Sequence, residues 1–264
     1  MLQGDHRKPL SVHTGWWQII SGIFCILCVF LPAVGYGGDS ETTSPTHGTD
    51  FSAPEQKRQS NIDIVLIGAS YAEGLKLNEV AGMTMINKGV GGQQSFEMLD
   101  RFQDDVINLN PRKVVVWGFI NDIFRADPGK MDDAIVRIQE SYREMVRLSR
   151  ENSIEPLLAT EITMGPRGGF KETIVRFIAG LMGKVSYQER VNLDVRKVNE
   201  WLKKYAAEQG LSVLEFQQVL ADEEGLMREK KFTQDDGSHI SEEGYKILSQ
   251  YMINNEELFR KRLQ

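Results

Sequence analysis

Five short apolar runs separated by helical patterns constrain the fold of this 264-residue chain more than any other feature. The runs are IDIVLIG (62–68), MTMIN (83–87), KVVVWGF (113–119), EPLLATEI (155–162) and LSVLEF (211–216), each bounded by turn residues. Short, nearly continuous apolar stretches of this kind suit strands buried on both faces. Helical spacing fills the gaps over roughly Gln94–Asn108, Lys130–Glu151 and Gln188–Gln209. Ser241, followed by Glu242 and Glu243, opens a last helix toward Leu263, with its acids placed well for the helix dipole. The alternation predicts an α/β fold, a parallel sheet covered by helices on both faces. In such folds ligands gather at the carboxyl ends of the strands.

The region before Ile62 reads differently. Arg7 and Lys8 precede Trp16–Tyr36 (WWQIISGIFCILCVFLPAVGY), an almost wholly apolar stretch with small residues Ala33, Gly35 and Gly37 near its end. A positive segment followed by an apolar one is the pattern of an export signal, and its length also suffices to cross a bilayer. Residues 1–36 are therefore expected to be a signal peptide or an N-terminal membrane anchor. The protein would be exported, periplasmic or extracellular, with membrane association through 16–36 if the segment is retained. A polar flank and the missing amphipathic period disfavour a buried core helix. Residues 37–61 (GGDSETTSPTHGTDFSAPEQKRQSN) are too polar to bury a core and read as a disordered linker. The folded domain is expected over 62–264.

Cys25 and Cys28 are the two cysteines of the chain, and both lie inside the apolar stretch. Their C-x-x-C spacing has no second pair and no surrounding βαβ pattern, which argues against a redox or zinc site. Neither follows a small residue, as a lipoprotein cleavage site would require. His6, His13 and His47 precede the domain, leaving His239 as the one imidazole within it. A His-rich metal centre is thereby excluded there. The formal charge of -6 argues against a nucleic-acid partner, which demands a basic face.

Four places in the domain carry chemistry. Ser70 in GASY directly follows the first strand, where its hydroxyl can reach the crevice; as an isolated feature such a serine is more often a helix N-cap. NKGVGGQQS (87–95) has three glycines within four residues, which let backbone N–H groups approach a ligand. Counting from Gly89 and Gly91, Gln94 stands where a dinucleotide fingerprint needs its last glycine, so that reading is weak. Asn121 in WGFIND offers a fixed amide donor after the third strand, or merely starts a loop through an Asx-turn. In DDGSHIS (235–241), Asp236 and His239 are three residues apart. A bent segment can present both, the carboxylate holding the tautomer of a base suited to neutral pH. Alone, a histidine in a D-G turn is more often structural.

Together these blocks resemble the SGNH/GDSL hydrolase family. GASY resembles its first block, GDSL, here with Ala69 and Tyr71; the glycine loop resembles the second, GFIND the third and DGSHISEEGY the last. The likeness spans about 62–250 in the family's order. One departure is that Phe119 stands where the family usually has glycine two residues before the asparagine, with Gly118 one residue earlier. The resemblance implies a flavodoxin-like, three-layer α/β/α fold and a two-step acyl transfer without metal or organic cofactor. It implies Ser70 as nucleophile, His239 as base and Asp236 as its orienting acid. The implied oxyanion hole is the N–H of Ser70, the N–H of Gly92 and the Asn121 amide.

The expected activity is hydrolysis of a carboxylic ester, an O-acetylated glycan or a lipid-type acyl ester. An envelope O-acyltransferase using the same triad is the nearest alternative, and a non-catalytic binding module on the same fold is another. Residues 164–190 form a connection longer than usual between a strand and its helix. There Phe170, Ile174, Phe177, Ile178, Leu181 and Met182 recur at helical spacing. This is either an extra helix packed on the domain or a mobile wall at the crevice.

Overall fold

The computed structural model describes residues 62–127, 129–167 and 186–260. The expectations for residues 1–36 and 37–61, and for the apolar pattern of 170–182, fall outside the described residues. Among the described residues no helix is long and apolar enough to cross a membrane.

Six strands form one sheet in the order β2-β3-β1-β4-β5-β6. They are β1 (Ile64–Gly68), β2 (Glu79–Val80), β3 (Met83–Gly89), β4 (Lys113–Trp117), β5 (Glu155–Ala159) and β6 (Ser212–Leu214). All neighbours pair in parallel except β2, which runs antiparallel to β3. Every residue of β1 and β4 is buried, because successive side chains point to opposite faces and both faces are covered; the one charge among them, Lys113, meets Glu155 at 2.5 Å. The fold is the expected three-layer α/β/α arrangement with a parallel central sheet.

The helices fall into two packing groups. α4 (Met131–Glu151) contacts α2 (Ser95–Asp100) and α3 (Ile120–Arg125), and α3 contacts α5 (Tyr187–Glu208). Elsewhere α6 (Phe216–Leu220) packs on α7 (Glu242–Asn254), and α7 places Tyr245 against Gly74 at the end of α1 (Ser70–Gly74). α8 (Glu257–Arg260) follows after a break at Asn255, which shortens the helix read as running toward Leu263.

Other differences from the sequence reading have local causes. β2 is two residues long and carries no periodicity; it exists because Ala81 and Gly82, both at positive φ, make a tight turn into β3. The helix read over Gln94–Asn108 is interrupted. After α2 the backbone widens to a π-helical turn, Gln103–Ile107, in which Asn108 N–H donates to the Gln103 carbonyl at 2.9 Å. Phe102 and Val106, four residues apart, are both buried in the core. The runs read as 113–119 and 155–162 stop pairing at Trp117 and Ala159, so their last residues leave the sheet at its carboxyl edge.

Register determines what meets at that edge. Gly68 pairs with Gly89 on one side and with Trp117 on the other, so β3, β1 and β4 end level. The segments that follow them therefore emerge at one rim. The last long helix is held there by Ser241, whose hydroxyl accepts from Gly244 N–H at 3.2 Å and donates to the Lys231 carbonyl at 2.8 Å. Ser241→Ala is expected to cost about 1 kcal/mol of unfolding free energy through the lost cap, measured as a lowered urea midpoint at unchanged m-value.

Candidate active site

Ser70 is the first residue of α1, and Ala69 holds the cap position before it. The hydroxyl of Ser70 is thus not the helix cap, and its own N–H belongs to the first helical turn, which has no intrahelical acceptor. Ser70 is half-buried, while Tyr71 next to it is buried.

The glycine loop enters from β3. Asn87 anchors it: its side chain donates to the carbonyls of Ala72 and Leu75, at 2.6 and 2.8 Å, and accepts from Gly89 N–H at 2.8 Å. Gly92 has φ +79, a left-handed conformation that a side chain would strain. Arg101, on the turn after α2, ties the loop to β1 by donating to the Gln93 side chain at 2.6 Å and to the Gly68 carbonyl at 2.9 Å.

Asn121 lies on α3 and donates through its amide to the Gln93 carbonyl at 2.9 Å. One amide hydrogen is thus used to lock Asn121 against the glycine loop, and among the described residues the second has no partner. The next residue, Asp122, is fully buried and accepts from Ser95 N–H at 2.7 Å and from the Ser95 hydroxyl at 2.9 Å. Burial pushes its carboxyl up; the Ser95 donors and Arg137, 3.7 Å away, oppose the shift. This pair staples α3 to the start of α2, so Asp122 serves the placement of Asn121.

The departure at Phe119 is absorbed by the interior. Phe119 has φ -147, an extended backbone open to any residue, and its ring packs edge-on against Tyr142 at 6.0 Å between centroids. Its N–H and that of Ile120 donate to the buried carboxylate of Glu161 at 2.7 and 3.2 Å. Glu161 was not singled out in the sequence, where it reads as part of a strand run. It caps the helix that carries Asn121.

Asp236 and His239 come together in one turn. The His239 ring donates through Nδ1 to the Asp236 carboxylate, whose other oxygen accepts the N–H groups of Ser238 and His239 at 2.9 and 3.0 Å. Partial burial alone would raise the Asp236 carboxyl, but these donors outweigh it and hold it well below the usual carboxylate range. A carboxylate is acceptor-only, so the pairing puts the proton on Nδ1 and leaves Nε2 free to accept. Gly237, at φ +77, makes the turn. Asp235 instead faces Lys230, 3.6 Å away.

Among the described residues Ser70 and His239 are not hydrogen-bonded to each other. What joins their segments is the Tyr71 hydroxyl, which donates to the Ser238 carbonyl at 2.5 Å. The residue after Ser70 is thereby bonded to the residue before His239.

Comparison with known proteins bears on the family and the fold. A family model described as GDSL-like lipase/acylhydrolase matches residues 38–247. Over 86 residues, 33% of the chain, the sequence is 30% identical to an uncharacterized lipoprotein, YqeF, of Bacillus subtilis; the matched part is 35% of that protein, so the chain spans about a third of its length. A lipolytic protein of the G-D-S-L family from Desulfitobacterium hafniense has a similar structure, with a TM-score of 0.56 at 22% identity, covering 75% of this chain and 99% of that one. An acylhydrolase from Bacteroides fragilis gives a TM-score of 0.56 at 25% identity, covering 75% and 86%. A catalytic mutant of the acetylxylan esterase Axe2 from Geobacillus stearothermophilus gives 0.51 at 15% identity, covering 78% and 98%.

Glu161 gives the site region a pH signature. Burial pushes its carboxyl up to about 6 from an ordinary value of 4.5, against the N–H groups of Phe119, Ile162 and Ile120 and the charge of Arg228. Between these values the folded protein holds more protons than the unfolded chain, so this group's contribution to stability is full below 4.5 and is lost as pH rises through 6. The unfolding free energy of wild type minus that of Glu161→Gln should therefore fall by on the order of 2 kcal/mol between pH 4 and pH 7. Chemical denaturation of both proteins across that range is the measurement; a flat difference would show that the carboxyl is not shifted.

Proposed function

The chain belongs to the GDSL-like lipase/acylhydrolase family, and from that premise we propose that it is an exported serine esterase, hydrolysing a carboxylic ester through an acyl-enzyme on Ser70. The observation that carries this reading is the Asp236–His239 pair, held by Tyr71 against the segment that bears Ser70. Export is supported by the apolar stretch 16–36 behind Arg7 and Lys8, and by a relative that is named a lipoprotein.

In this mechanism Ser70 Oγ attacks the ester carbonyl carbon while its proton passes to His239 Nε2. Asp236 stabilises the imidazolium through Nδ1–H. The oxyanion is met by the N–H of Ser70, the N–H of Gly92 and the free amide hydrogen of Asn121. Collapse breaks the bond to the alcohol, which takes the proton from His239 and leaves an acyl-serine. Water, deprotonated by His239, then attacks that ester and releases the acid. The substrates in view are O-acetylated glycans and lipid-type acyl esters.

A fluorophosphonate is expected to label the full-length protein once and to spare Ser70→Ala; labelling retained in the variant would remove Ser70 from the role. Asn121→Ala should lower kcat on p-nitrophenyl acetate by roughly 10²–10³ with little change in KM, because the amide acts on the developing oxyanion. A change confined to KM would make Asn121 a substrate-binding residue instead. A panel of acetylated sugars and lysophospholipids, run with and without a glycan acceptor, separates hydrolysis from acyl transfer by the products formed.

A further inference from the structure

Tyr71 stands where the GDSL block of the family has leucine, and Arg228 belongs to none of the blocks by which the family is recognised. Both converge on one carbonyl. The Tyr71 hydroxyl donates to Ser238 O at 2.5 Å, and Arg228 Nη2 donates to the same atom at 2.8 Å and to Gly237 O at 3.2 Å. Arg228 is completely buried; its Nε donates to the Thr233 hydroxyl at 3.2 Å, and its guanidinium lies 5.5 Å from the centre of the Tyr71 ring. Burial of a cation this deep is costly; the negative charge of Glu161 acts on it without a direct ion pair, and among the described residues its Nη1 has no hydrogen-bond partner.

The Ser238 carbonyl and the His239 N–H belong to one peptide group, which is planar. Its oxygen is held by Tyr71 and Arg228, and its N–H is held by Asp236 Oδ1. Donors at one end and an acceptor at the other fix the orientation of the plane. The plane in turn sets the direction in which the His239 side chain leaves the backbone, and the Asp236 carboxylate then fixes the ring. Because Tyr71 follows Ser70 directly on α1, the same bond sets the nucleophile's segment against the base's turn. A leucine in its place has no donor. Burial also pushes the Tyr71 phenol well above its ordinary range, so it remains a donor across the working range of a histidine base.

We infer that Tyr71 and Arg228 are positioning residues that clamp the Ser238–His239 peptide and so set the alignment of His239 with Ser70. The kinetic part of this inference rests on the esterase reading; the geometric part does not. Neither residue is placed to touch the ester.

The test uses the full-length chain with Tyr71→Phe, which keeps the ring and removes the donor, together with Tyr71→Leu, Arg228→Lys and the double variant Tyr71→Phe/Arg228→Lys. Tyr71→Phe should lower kcat on p-nitrophenyl acetate about tenfold at unchanged KM, the scale of one hydrogen bond to a buried carbonyl. Its melting temperature should fall by no more than about 4 °C. Arg228→Lys keeps a cation in the same interior but loses the planar guanidinium that aims Nη2 at the carbonyls and the Nε bond to Thr233, and should lose a similar factor. Because both act on one oxygen, the double variant should lose no more than about twofold beyond the worse single variant.

A second readout needs no substrate. In protein labelled with isotopes at histidine, Tyr71→Phe should shift and broaden the ring resonances of His239 while leaving those of His6, His13 and His47 unchanged. If kcat and the His239 resonances both stay at wild-type values in Tyr71→Phe, the clamp is overturned while the esterase reading stands. Multiplicative losses near a hundredfold in the double variant would also overturn it, by showing two independent effects. If instead the wild-type chain is not labelled by fluorophosphonate while His239 still responds to Tyr71→Phe, the esterase reading falls and the clamp stands.

Discussion

The level ending of three parallel strands is the constraint on which the rim depends. Gly68, Gly89 and Trp117 are register partners, so the chain leaves β1, β3 and β4 at the same height and the next residues of each must share one crevice. A one-residue slip of β3 or β4 against β1 would carry the glycine loop or Asn121 about 3.3 Å along the strand and turn buried side chains to the wrong face. Such slips are disfavoured by close packing: a slip of β4 would draw buried Lys113 away from Glu155, 2.5 Å from it, and move Trp117 out of the site shaped for its ring.

Hydrogen bonds accepted by buried carboxyl groups and donated by a buried guanidinium then locate the loops. Glu161 caps α3, Asp122 staples α3 to α2, and Arg228 gathers the carbonyls of the His239 turn. Removing one partner from such a group leaves an uncompensated charge in the interior, which costs far more than a surface pair. These residues therefore tie the integrity of the core to the geometry of the rim. The neutral link, Tyr71 to Ser238, bridges the two halves that the strands alone do not connect, since the His239 turn follows no strand of the sheet directly.

Legibility in the sequence followed the range of the interactions. β1, β4 and β5 were legible because burial on both faces writes an apolar run, and α4 and α5 because their apolar stripes repeat over many turns. Short elements were not: α1, α3 and α6 have five or six residues each, and β2 has two. The break in the helix over Gln94–Asn108 was also hidden, because a π-helical turn keeps the apolar residues on the same side while adding one residue.

The sequence by itself determined the order of strands and helices and placed Ser70, the glycine loop, Asn121 and the Asp236–His239 turn after strands or before a helix. It could do so because apolar periodicity and turn residues are local properties. Only the tertiary structure decided that Asn121 spends one amide hydrogen on Gln93, that Asp236 rather than Asp235 meets the imidazole, and that Phe119 turns inward to Tyr142. It also revealed Glu161 and Arg228, which look like ordinary charged residues in the chain. Glu161 meets the N–H of Phe119, 42 residues away, and Tyr71 meets the carbonyl of Ser238, 167 residues away; pairing at that range is set by packing, which no local pattern records.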